Sequence, residues 1–447
     1  MLTYSLDKNN KYFSLYRRIR DDILSGKIKG GSKLPSKREL AENLSVSVVT
    51  VQNAYGQLYA EGYICPKERS GYFVAENVSG FYGGKEEYVP PTVNAENYKI
   101  DLVKGATQLF PFSVWAKLMR SVLSDCGEHL LERIPCDGDA ELKAAVAAYL
   151  YRARGIDADP RFIVIGAGAE YLYGVIVQLL GRDKLYAVEN PGYGKISVAY
   201  GLNGAKRAFV GVGEDGVKLD EVDRSGAYAV HVSPSHQYPT GAVIPAANRL
   251  KLIQRAVATG GYIIEDDYDS EFRLSGKPLQ SMVSLCPERV IYLNTFSKSL
   301  APSMRMGYMV LPPALYEKYL SLFSHSACVT PLFEQKTLAK MLDGGYFERH
   351  ISRLKNYYKS VRQAVVSKAA EIKGCKITDT GSGLHFLAEF SNAPSDGYIK
   401  ETAAANGINV KCLSDYLLSP APVKEKCAVI NYTGVTPEQI KNLDIGI

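Results

Sequence analysis

The sequence predicts an α/β protein: a parallel β-sheet clad with helices, and a separate helical unit in front. Three observations carry this. From about residue 100, β-type runs such as FIVIGA, KLYAVE, AYAVHVSP, GYIIEDDY and RVIYLN alternate with helical stretches such as AELKAAVAAYLYRAR and YLYGVIVQLL, the mark of βαβ units. A length of 447 residues exceeds what one ordinary core organises. The net charge of +6 is concentrated at the front, where residues 1–75 hold 12 Lys and Arg against 7 Asp and Glu.

Composition narrows the class. With 46% hydrophobic and 22% charged residues the chain reads as globular. It has no run of about 18 apolar residues that could cross a bilayer, and its first ten residues are polar, without a signal pattern. A cytoplasmic location is expected. The eight cysteines show no CxxC and no Cys/His pair at ligand spacing, so reduced thiols are expected rather than disulfides or a metal.

The first element is SLYRRIRDDILSG, with Leu15, Ile19, Ile23 and Leu24 at helical spacing and Gly26 as its end. A second helix begins after Pro35-Ser36, where Glu39 completes a capping box. After the short turn Ser45-Val46-Ser47, a third helix spans about 47–61. It buries Val48 or Val51, Ala54 and Leu58, and exposes Thr50, Gln52, Asn53 and Gln57. YICPKERSGYFV then alternates as two strands about a turn holding Arg69, Ser70 and Gly71. Three helices with a tight second-to-third turn and a basic hairpin make a winged helix-turn-helix over 1–75. Residues 76–98, with Gly83-Gly84 and Pro90-Pro91, read as a linker to a main domain over 99–447.

Residues 12–75 resemble the DNA-binding domain of the GntR family, through LPSKRELA, then SVSVVTVQNAYGQLYAEGYI, then the glycine-bearing wing. The resemblance implies phosphate or base contact by Lys37 and Arg38. It places Ser47, Thr50 and Gln52 in the major groove of duplex DNA, and Arg69 and Gly71 at the minor groove. Where many relatives have an arginine early in the recognition helix, this chain has Val48. The operator sequence therefore does not carry over from them.

In the main domain each strand ends in a polar cluster. IEDDYDSE places Asp266 and Tyr268 after a strand; a carboxylate there can hold a pyridinium nitrogen and a tyrosine can bond a phenolic oxygen. SPSHQYPTG ends a second strand, and ENPGYGK a third, where Tyr193 can stack on a flat ring. GAGAEYLYG passes from strand to helix through Gly166 and Gly168, a place for phosphate. NTFSKSLAPSMRMGY sets Lys298 between two serines, seven residues before Arg305.

That order resembles the fold-type I pyridoxal phosphate (PLP) enzymes, the aminotransferase class, over about 99–447, which implies a mostly parallel sheet with a smaller C-terminal α+β subdomain from about 330. The resemblance implies PLP bound to Lys298 as a Schiff base. The phosphate is then held by Thr295, Ser297 and Arg305 with the amides of Gly168 and Ala169. Asp266 meets the pyridine nitrogen, Tyr268 the phenolic oxygen, and Tyr193 stacks on the ring. His236 is counted with the cofactor residues as a group behind them, while His231 and His385 are read as structural. The two domains together, with SPSHQYPTG, IIEDDYDSEFR and TFSKSLAPSMRMGYMVLP, resemble the MocR subfamily of GntR regulators. This implies a dimeric transcriptional regulator that senses an amine, an amino acid or PLP itself; the alternative is a working aminotransferase with an accessory DNA domain. One departure bears on that choice. Aminotransferases grip a substrate carboxylate with an arginine in a late strand, and CAVINYTG has Val429 there, leaving Lys195 or Arg273 to substitute.

Overall fold

In the computed structural model, described over residues 10–78, 98–103, 109–274, 279–378 and 383–441 with Tyr4, Leu6, Asp7 and Gly381, the chain forms two compact units, Met1–Ala95 and Glu96–Ile447. The expected linker falls, from 79 to 97, outside the described residues.

The first unit contains α1 (Lys11–Leu24), α2 (Lys37–Asn43), α3 (Val48–Ala60) and an antiparallel hairpin, β1 (Ile64–Lys67) with β2 (Gly71–Val74). Its core joins Leu15, Ile19 and Ile23 of α1 to Leu40, Val51, Ala54 and Leu58. The predicted capping box is present: Ser36 Oγ accepts from Glu39 N at 3.2 Å, and Glu39 Oε2 accepts from Ser36 N at 3.3 Å. Of the two candidates for the buried valine, Val51 is the buried one. Val48, at the first turn of α3, is 43% exposed. Tyr55 fills the remaining space and donates its hydroxyl to Pro35 O at 2.9 Å.

The second unit opens with β3 (Ile100–Asp101), α4 (Phe112–Cys126) and α5 (Ala140–Arg154). The alternating region follows as β4 (Ile163–Gly166), α6 (Ala169–Leu180), β5 (Leu185–Asn190), α7 (Gly194–Leu202), β6 (Lys206–Gly213), β7 (Gly216–Val217) and α8 (Leu219–Ser225). It continues through β8 (Ala229–Val232), α9 (Ala246–Thr259), β9 (Tyr262–Asp266), β10 (Val290–Thr295) and β11 (Gly307–Val310). These strands form one sheet in the order β4-β11-β10-β9-β8-β5-β6-β7, parallel except for β11 and β7. Strands β8, β9 and β10 are buried along their whole length, as expected for a parallel sheet covered on both faces. Helix α6 is buried around most of its circumference, which places it between the sheet and a further layer.

After β11 come α10 (Pro313–Phe323), α11 (Leu332–Asp343) and α12 (Tyr346–Ala370), the last with Phe347, Ile351, Leu354, Tyr358, Val361 and Val365 buried at helical spacing. The C-terminal part adds β12 (Cys375–Thr378), β13 (His385–Phe390), α13 (Asp396–Ala405), β14 (Ile408–Asn409), β15 (Lys411–Cys412), β16 (Cys427–Asn431) and α14 (Pro437–Lys441). Its antiparallel sheet runs β12-β13-β16-β15, and β14 pairs with β3 in parallel. The architecture is the expected mostly parallel α/β sheet with a smaller α+β portion, preceded in the chain by a winged helix-turn-helix. No helix among the described residues is long and apolar enough to cross a membrane.

Candidate functional site

A cavity of about 520 Å³ opens at the C-terminal ends of the parallel strands, where an open α/β sheet offers its crevice. The turn after β4 forms one end of it. Gly168 adopts φ +86° and begins α6 without a side-chain cap, so the first-turn N–H groups of α6 have no side chain to receive them. In the sheet, Gly307 lies opposite Gly166, and this register brings Arg305, just before β11, beside the same turn. A Cβ placed on Gly168 would stand 3.1 Å from Arg305 Nη2. Arg305 also donates to Ala167 O at 3.2 Å. A guanidinium beside a helix N-terminus favours an anion between them, and Glu170 Oε2, in the first turn of α6, lies 4.0 Å from Arg305 Nη2. Thr295, at the end of β10, and Ser297 face the same lumen.

Lys298 lines the cavity beyond them. Its side chain has accessible surface, but that surface opens into the lumen. The dense walls push its ammonium pKa down, Lys195 adds to the effect, and Asp269 opposes it. Lys195 pairs with Glu170 at 2.9 Å on the wall above.

Asp266, 5% exposed at the end of β9, is held by two bonds to the same oxygen: Tyr173 Oη donates to Oδ2, and His231 Nε2 lies 3.3 Å from it. His231 Nδ1 in turn meets Tyr200 Oη at 2.7 Å. A buried relay from α7 through β8 to β9 thus fixes the carboxylate, and Asp266 faces the cavity. Tyr193 lies across the lumen, edge-on to Tyr238 at 5.9 Å between ring centroids. Tyr268 Oη is 3.3 Å from His236 Nδ1, which also meets Asp269 Oδ2 at 2.9 Å. His236 is 2% exposed and stands behind Tyr268 rather than on the cavity wall.

Of the expected cofactor residues, Ala169, Tyr193, Asp266, Tyr268, Thr295, Ser297, Lys298 and Arg305 therefore share one cavity, with Gly168 forming its end turn and His236 its backing. Tyr173, Glu189, Ser233 and Asn431 line it as well and were not expected. His231 and His385, read as structural, both reach it. Glu189 Oε1 is buried without a partner, and burial pushes this carboxyl up to about 8, so it is largely protonated at neutral pH. His385 Nε2 is likewise buried and unpartnered, and burial beside His236 holds its pKa well below the usual imidazole range. The late-strand position expected for a carboxylate-binding arginine is closed: Val429 of β16 is 1% exposed and packs with Leu413 and Cys427. Lys195 lines the lumen, whereas Arg273 does not.

On the first unit, Arg38, Ser47, Gln52, Arg69 and Gly71 are exposed, and Lys37 and Thr50 are half-buried. Lys37 Nζ lies 5.3 Å over the Tyr72 ring. Ser47 caps α3, accepting from Thr50 N at 3.1 Å, while its Oγ meets Thr50 Oγ1 at 2.8 Å. Arg69 takes φ +59° at the tip of the hairpin, beside Gly71 at φ +109°.

Residues 11–74 match the model of the bacterial regulatory proteins of the gntR family, and residues 98–443 match that of aminotransferase class I and II. Along 96% of its length the chain is 30% identical to a probable rhizopine catabolism regulatory protein, MocR, of Rhizobium meliloti, covering 91% of that protein. The chain belongs to the MocR-type GntR regulators. It is also 34% identical to an HTH-type transcriptional regulator of Bacillus subtilis, YdeL, over 96% of this chain and 94% of the relative. A pyridoxine biosynthesis transcriptional regulator of Corynebacterium glutamicum, PdxR, is 29% identical over 90% of this chain and 88% of its own length. Among solved structures, a Pyrococcus horikoshii kynurenine aminotransferase superposes with a TM-score of 0.69 at 23% identity, covering 81% of this chain and 95% of that one. For this MocR-type chain that likeness establishes the aminotransferase fold of the second unit.

Proposed function

We propose that this MocR-type regulator binds duplex operator DNA through its first unit as a homodimer, and holds PLP in its second unit as the sensor of an amine, an amino acid or PLP itself. One observation carries the sensor reading: a lysine, a carboxylate tied on a single oxygen and an open helix N-terminus beside an arginine all face one cavity. The donor set fits the cofactor. Gly168 leaves the space a Cβ would fill beside Arg305, which suits a phosphate with Thr295, Ser297 and the amides at Gly168 and Ala169. Asp266 suits a protonated ring nitrogen, Tyr268 the ring oxygen, and Tyr193 the ring face.

When bound, PLP supplies an aldehyde carbon that exchanges one primary amine for another, with a visible absorption that reports the exchange. The chain's own residues set the terms. The walls around Lys298 push its ammonium pKa down, the direction that favours a nucleophilic amine. The Tyr200–His231 relay and Tyr173 orient Asp266 before any ligand arrives. Glu189, neutral at physiological pH, offers a hydrogen-bond donor in place of a second negative charge near Asp266.

Regulation is favoured over turnover by Val429. A bidentate guanidinium at that position would fix an α-amino acid for repeated proton transfer, and a buried valine cannot. An effector acts only through unequal affinity for the DNA-bound and free states. The test is a visible absorption titration of cofactor-stripped full-length protein with PLP, run beside Lys298→Ala. A saturable band in the wild type and none in the variant is the expected result; no band in either overturns the sensor reading. Multiple-turnover formation of keto acid from an amino donor would instead favour the aminotransferase alternative.

A further inference from the structure

The outer face of α3 carries information that the family assignment does not supply. Its sequence, VVTVQNAYGQLYA, contains no charged residue. Val51, Ala54, Tyr55 and Leu58 turn inward. The opposite face presents Val49, Gln52, Asn53 and Gly56 at helical spacing, with Val48 beside them at the first turn. Val48 and Val49 are 43% and 64% exposed. Two adjacent valines turned to water at the start of a helix contribute nothing to the core of the unit.

Gly56 is the second observation. It lies mid-helix on the exposed face, its φ is not positive, and a Cβ built on it meets nothing within 4 Å. Glycine costs a helix interior about 1 kcal/mol relative to alanine, and neither backbone geometry nor packing of the unit explains it. A glycine with no internal cause on an outer face suits the close approach of another molecule.

We infer that α3 reads an A·T-rich segment of the operator half-site, with Val48 and Val49 against thymine methyl groups, Gln52 and Asn53 on adenine edges, and Gly56 admitting the wall of the groove. This rests on the reading that the first unit binds duplex DNA. The N-terminal residues of a recognition helix are the ones that meet base edges in the major groove. Guanine is read there mainly by bidentate arginine or lysine, adenine by asparagine or glutamine, and the thymine methyl by apolar side chains. With no cation on α3, the first of these is closed and the other two are the ones on offer. Positive charge lies outside α3, at Lys37, Arg38 and Arg69, so any base contact these residues make falls outside the segment read by α3.

The experiment selects duplexes from a randomised pool with the full-length protein, then remeasures the enriched site with deoxyuridine in place of each thymine, which removes only the methyl group. The expected result is an A·T-rich site whose affinity falls about three- to fivefold for each contacted methyl. Val48→Ala/Val49→Ala, at exposed positions, should weaken binding to the thymine site and abolish the difference between thymine and deoxyuridine. Gly56→Ala should bind severalfold more weakly although its helix is more stable. An enriched site that is G·C-rich under α3, or indifferent to deoxyuridine, overturns the inference while leaving DNA binding intact. Wild-type affinity in Gly56→Ala removes the outer face of α3 from the interface and overturns it equally. Failure of the pool to enrich any sequence, with no salt-dependent binding, instead overturns the DNA-binding reading beneath it.

Discussion

Glu189 and Lys298 face the same lumen, but only Glu189 is buried there, and burial pushes its carboxyl toward neutrality. For Glu189 this has a measurable sign. Its folded carboxyl keeps its proton up to about 8, against 4.5 for an ordinary glutamate. The folded state therefore holds the extra proton between those values, and stability falls with rising pH across that window. The contribution is complete below the unfolded value and is lost as pH climbs through the folded one. Glu189→Gln, which cannot ionise, should flatten the fall in melting temperature between about pH 5 and pH 8.5, by up to about 1.4 kcal/mol per pH unit. Glu271, pushed up to about 7, keeps part of the slope. An unchanged slope in the variant would mean that the Glu189 proton is not retained. The residues that sequence reasoning placed in the cavity, such as Asp266, Tyr193 and Lys298, sit where strands end, and a strand end can be read locally. Tyr173, Tyr200 and His231 converge from α6, α7 and β8, and no local pattern announces such a meeting. A signal existed only for His231, a histidine inside the otherwise apolar run AVHV.

Between elements, the tie next to the cavity-lining Asp266 is Asp267, one residue past β9. Arg154 Nε, from the last residue of α5, donates to it at 2.9 Å, Tyr292 of β10 at 2.7 Å, and Ser270 at 2.8 Å. Both partners of the ion pair are buried, with side chains 4% and 1% exposed. Removing one member of such a pair strands the other charge. Arg154→Ala should thus destabilise the second unit by about 3–5 kcal/mol, seen as a fall of several degrees in its thermal transition. Retention of the wild-type midpoint would show that hydroxyl donors and water suffice for Asp267. At this scale the capping box of α2 was legible because its two partners are three residues apart. The reversed strand β11, inserted between β4 and β10, was not, because hydrophobic runs carry no direction. Yet that insertion is what carries Arg305 to Gly168. Val48 shows a different limit. Periodicity offered two valines for one buried place, and only the packing of Tyr55 and Val51 against α1 and α2 decides between them.

For the whole molecule, the residues proposed to meet DNA and those proposed to meet the cofactor lie in separate compact units with separate cores. Arg38→Ala should weaken operator binding about tenfold and reduce its salt dependence by about one ion, while the absorption band formed with PLP stays as in the wild type. Filter binding at several salt concentrations beside the absorption titration checks both halves. Equal affinity in the variant would take Arg38 out of the interface. The order of the two units along the chain has a further consequence, for synthesis. The hairpin that completes the DNA-reading unit ends at Val74, whereas the anion cradle waits for Arg305. At ~5–20 residues per second, that interval lasts on the order of ten to fifty seconds. On the function proposed above, a chain broken off in that interval would carry the residues that meet DNA without those that complete the cofactor cavity.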